Sequence, residues 1–83
     1  MQKSTHERIE EIFREVFYDD ALVITAQTSA RDIEAWTSLA HIHLVVAIEQ
    51  AFGIKFTLAE LNGLQDVGEL EALVEQKSAV ADL

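Results

Sequence analysis

The residues with chemical potential gather in one stretch, from Trp36 through Thr37, Ser38 and His41 to His43, at the head of a long apolar run. A hydroxyl three residues before an imidazole can meet it on a helix, which is the start of a nucleophile and base pair. A hydrolase would also need a group to orient the base and donors for an oxyanion, and no Gly-x-Ser-x-Gly turn surrounds Ser38. His41 and His43 are two apart and point about 200° from each other on a helix, so they cannot share one ion. His41 therefore reads as a flank or core histidine, and Trp36 as the closure of a small core rather than a ligand platform. In isolation, Thr37 or Ser38 reads as a helix N-cap. No catalytic residue and no metal ligand is expected, and the chain is not expected to be an enzyme.

The elements that would position this stretch are helical throughout. Ser4 and Glu7 fit a capping box. Ile9, Ile12, Phe13, Val16 and Phe17 then follow helical spacing, which predicts a first helix over about 5–18. Residues 19–37 make a long connection, anchored by Leu22, Ile24, Ile33 and Trp36, with room for a short helical turn. A second helix is predicted from Ser38 to Phe52, ended by Gly53. His41, Leu44, Val45, Ile48 and Phe52 share its core arc. Leu39, Ala40, His43, Val46, Ala47 and Gln50 share the opposite, nearly uncharged arc. Thr57 caps a short third helix over Leu58–Leu61. Asp66 and Glu69 form a second capping pair, before a fourth helix that buries Val67, Leu70, Leu73 and Val74. The tail from Ser78 is expected to fray. The sequence thus predicts an all-α, single-domain four-helix bundle over residues 1–83, with an ordered core at about 4–77, a long first loop and a short third helix.

The totals narrow the partners. The 83 residues carry fifteen acidic and six basic side chains, for a net charge of −9. Nucleic acid and acidic membrane surfaces are disfavoured, because phosphate contacts need a basic patch. Basic protein surfaces are favoured. Cysteine is absent, which excludes a disulfide scaffold and a thiol borne by the protein itself. No basic-then-apolar leader opens the sequence and no apolar run is long enough to span a bilayer, so a cytoplasmic address is expected. The chain is also expected to be a monomer.

The segment Ile33–Phe56, "IEAWTSLAHIHLVVAIEQAFGIKF", resembles the acyl carrier protein family around its modified serine. Thr37-Ser38-Leu39 stands where that family has Asp-Ser-Leu, "FGIKF" at Phe52–Phe56 matches its turn after the second helix, and "LQDVGELEALV" at Leu64–Val74 looks like its last helix. The resemblance implies that Ser38 is esterified to 4′-phosphopantetheine from coenzyme A by a Mg²⁺-dependent phosphopantetheinyl transferase. The arm would carry acyl groups as thioesters to acyl-loading and acyl-processing enzymes of fatty-acid, polyketide or related biosynthesis. A serine at a helix start suits a phosphodiester, because unpaired amides and the positive end of the dipole face it.

The sequence departs from the family in two places. Thr37 replaces the aspartate that transferases see. The partner-facing strip of the second helix is acidic in typical members, whereas Glu49 is the only acid between Ser38 and Ile54 here. Thr37, Leu39, His43 and Val46 are accordingly expected to be partner contacts, with more apolar contact and less steering than usual. Two further readings remain open. One is an aminoacyl or peptidyl carrier, although the Gly-Gly pair usual before that serine is absent. The other is an unmodified carrier-like interaction domain.

Overall fold

The computed structural model describes residues 4–81, and four helices account for most of them: α1 (Thr5–Val16), α2 (Ser38–Phe52), α3 (Leu58–Asn62) and α4 (Val67–Ala81). Ser4 caps α1 by accepting from the Glu7 amide at 3.1 Å. The expected reciprocal box is only half made, because the Glu7 carboxylate meets the Ser4 hydroxyl at 3.3 Å instead of returning to the backbone. The helix also stops two residues before the expected end. Tyr18 takes a left-handed conformation at φ 54°. The Asp19 amide then reaches back to the Arg14 carbonyl at 3.0 Å, and the Tyr18 amide to Glu15 at 3.4 Å, which is a Schellman closure.

Helices α1 and α2 run antiparallel. Arg8, near the start of α1, donates to the Ala51 carbonyl at 2.7 Å and lies 4.0 Å over the Phe52 ring at the end of α2. The core between them and α4 is Ile9, Ile12, Phe13, Leu44, Ile48, Val67, Leu70 and Val74, with Ile24 from the loop and Ile54 after α2. Burying such side chains supplies the main stabilisation of a fold with no crosslink. Three expected core positions are only half-buried: His41, Phe52 and Leu73. Phe52 packs against the edge of the core, and the Arg8 guanidinium covers its ring from outside. Helix α4 continues to Ala81, past the expected fraying point at Ser78, and residues 82–83 lie outside the described part. No helix among the described residues is long and apolar enough to cross a membrane.

The long first loop is held by named bonds. Ile24 is buried, and its amide donates to the Glu10 carboxylate at 3.0 Å. Arg14 bonds the Leu22 carbonyl at 2.7 Å and Glu10 at 3.1 Å. Leu22, Ile33 and Trp36 pack against the core as expected. Turns closed by Thr28 to Thr25, Asp32 to Ser29 and Trp36 to Ile33 take the place of a helical turn. The loop also satisfies the start of α4, because the Val67 and Gly68 amides donate to the Thr28 and Ala26 carbonyls, both at 2.8 Å. Glycine is required at position 68, since a Cβ there would lie 2.9 Å from the Ala26 carbonyl oxygen.

Candidate functional site

The start of α2 is set by two adjacent hydroxyls with different tasks. Thr37 is the N-cap, in extended conformation at φ −87° and ψ 175°, and its Oγ1 accepts from the Ala40 amide at 3.2 Å. The Thr37 carbonyl opens the helical ladder by accepting from the His41 amide at 2.9 Å. Ser38 is therefore the first helical residue. Its hydroxyl is exposed and has no hydrogen-bond partner among the described residues, and neither do the Ser38 and Leu39 amides. These amides are the orphan donors of the first turn.

Trp36 fixes the chain just before this turn. Its ring meets Phe13 edge-on at 5.2 Å, with planes 89° apart, and tilts against Phe17 at 6.2 Å. On its other side lies His41, with ring planes within 20° of parallel and centroids 6.0 Å apart. The indole Nε1–H donates to His41 Nδ1 at 3.1 Å. An Nδ1 that accepts leaves the neutral ring's proton on Nε2. Ser38 and His41, spaced so that they could touch, make no hydrogen bond to each other; the imidazole is bonded to Trp36 instead.

Beside Ser38 opens a cleft of about 490 Å³, lined by Ala30, Trp36, Thr37, Ser38, His41, Ile42, Leu58, Leu61 and Asn62. It has apolar walls and no charged side chain. Of the expected partner residues, Leu39, His43 and Val46 are exposed on α2, and Thr37 is exposed at its N-cap beside Ser38. Ala47, placed on the same arc from sequence, instead packs against the core. Glu49 is withdrawn from the surface, since its carboxylate accepts from the Phe56 amide at 2.8 Å and ties the link after α2. Ile42 and Leu58, which line the cleft, are 58% and 74% exposed and are not among the site residues expected from the sequence. Helical spacing gave one signal, because Ile42 lies four residues after Ser38 and shares its face.

The profile of the phosphopantetheine attachment-site family matches residues 7–74. The chain belongs to that family. A solved structure agrees: the solution NMR structure of the holo acyl carrier protein from Geobacter metallireducens shares 48% identity with this chain. It covers 93% of this chain, which covers 88% of that one, and superposes with a TM-score of 0.88. No curated protein sequence matches the chain significantly. This family member is a carrier and not an enzyme, with an acyl carrier fold and covalent 4′-phosphopantetheine as its prosthetic group. The first turn of α2 fits that group: the hydroxyl is exposed and unengaged, two amides face outward, and no carboxylate lines the cleft to repel a phosphodiester.

Proposed function

We propose that this chain is an acyl carrier protein whose Ser38 Oγ bears the phosphopantetheine, serving fatty-acid, polyketide or related biosynthesis as a cytoplasmic monomer. The unengaged Ser38 hydroxyl, at the head of α2 within the matched span, carries the reading. Thr37 does the capping, so the serine is left for chemistry. In the modification, a phosphopantetheinyl transferase brings coenzyme A to Ser38. Oγ loses its proton and forms a bond to phosphorus as the 3′,5′-bisphosphate of adenosine leaves. The attached arm supplies the thiol that holds acyl groups as thioesters, which the cysteine-free chain cannot supply itself. The unpartnered α2 amides of Ser38 and Leu39 would hold the phosphodiester, and the apolar cleft would cover what the arm carries.

Thr37, Leu39, His43 and Val46 form the contact surface for the transferase and for the acyl-loading and acyl-processing enzymes, with Ile42 and Leu58 extending it. With Glu49 engaged internally, this face of α2 presents no free carboxylate, so docking there depends on apolar contact more than on charge steering.

The test is intact mass after incubation with coenzyme A, Mg²⁺ and a broad-specificity transferase. Wild type gains one phosphopantetheinyl group and a folded Ser38→Ala variant gains none. A folded wild type that gains nothing with several transferases would sink the proposal and favour an unmodified interaction domain.

A further inference from the structure

His41 is positioned for a task that the packing of Trp36 does not explain. Its Nδ1 is committed to the indole at 3.1 Å, so the ring's one remaining polar group is a donor, Nε2–H. That donor has no partner among the described residues. The ring itself is held, through Trp36, by Phe13 and Phe17. His41 lies three residues after Ser38, where helical side chains are neighbours, about 5–6 Å apart at Cβ. Both residues line the same cleft. No lysine or arginine lines that cleft, and Thr37 has already taken the Ala40 amide. An anion on Ser38 is thus left with two backbone amides and one side-chain donor on its own helix.

We infer that His41 Nε2–H donates to the phosphodiester on Ser38 and so orients the first bonds of the arm relative to the cleft. The inference rests on attachment at Ser38. His41 acts as a positioning residue that sets where the arm leaves the helix, and Trp36 acts through it by fixing the tautomer. With Nδ1 accepting from the indole, the imidazole offers the phosphodiester a single directed donor.

The experiment compares the modified wild type with modified His41→Phe, which keeps an aromatic ring and removes both nitrogens, and with modified Trp36→Phe, which removes the indole donor and keeps one aromatic ring. Intact mass first establishes that each sample carries the arm; a folded wild type that gains no mass would sink attachment at Ser38 itself. The readouts are the ³¹P resonance of the phosphodiester and the side-chain ¹⁵N resonances of His41 before and after modification. The expected result has three parts. His41 Nε2 carries the proton in the unmodified protein. Its resonance moves on modification. The ³¹P resonance of His41→Phe is displaced from wild type, with Trp36→Phe falling between them. Fully modified proteins that share one ³¹P resonance, with His41 nitrogens unmoved by modification, would overturn the inference and leave the carrier reading intact.

Discussion

A side-chain oxygen that caps a helix is occupied, and one that reacts must be available. At the head of α2 these demands fall on neighbouring residues, Thr37 for the cap and Ser38 for the exposed hydroxyl. Thr37→Ala should therefore destabilise the fold by about 1 kcal/mol, read from urea unfolding, without removing the serine proposed for modification. Thr37→Asp should keep the cap, add a favourable charge at the helix start of about 0.3–1 kcal/mol, and speed modification by a transferase that reads the acid. A rate equal to wild type would show that the transferase does not read charge at this position. The sequence could show that a hydroxyl begins this helix, but not which of the two did the capping. That depends on where the chain leaves extended geometry, and Trp36 sets that point through Phe13 and Phe17, contacts some twenty residues away in sequence. The imidazole shows the same limit. Its spacing from Ser38 was legible, but its bond to the indole required the loop to be folded back.

The helices themselves were legible because their apolar periodicity is local, and α2 matches its expected bounds at both ends. Their ends and partners were less so. The tyrosine that closes α1 occupies a left-handed position usually given to glycine, and nothing in its side chain announces that. Tyr18→Gly should stabilise the fold by about 0.5–1 kcal/mol in thermal or urea unfolding, through relief of left-handed strain at a fully exposed site. A variant less stable than wild type would refute the strain argument. Gly68 shows the reverse. In the sequence it looks like a tolerable flaw in the first turn of α4, whereas in the fold its missing Cβ lets the loop carbonyl of Ala26 approach. Gly68→Ala should cost about 1–3 kcal/mol in urea unfolding, despite alanine's better helix propensity, because backbone must move to make room. An unchanged or raised stability would show that the loop yields easily.

At the scale of the whole molecule, α3 is tied to α4 by charge. Glu60 completes a capping box with Thr57 and pairs with Lys77 at 2.9 Å. The Thr57 amide, and then Lys77, hold the Glu60 carboxyl below its usual 4.5. A depressed folded value means that the stabilisation is present above the ordinary glutamate range and is lost as pH falls through the folded value. Glu60→Gln should therefore flatten the acid limb of stability against pH, measured by thermal unfolding from neutral pH down to the carboxylate range. An unaltered acid limb would mean that the pair contributes nothing there.

Trp36 is the chain's single tryptophan, and it lies between the core aromatics and the imidazole beside the cleft. All indole emission from this protein therefore arises within two residues of Ser38. The molecule has a built-in optical gauge: loss of the Phe13 and Phe17 contacts on unfolding would shift its colour, while an occupant of the cleft would change its brightness in the folded state. Loading and unloading of the carrier could then be followed by light alone, with no dye and no engineered residue.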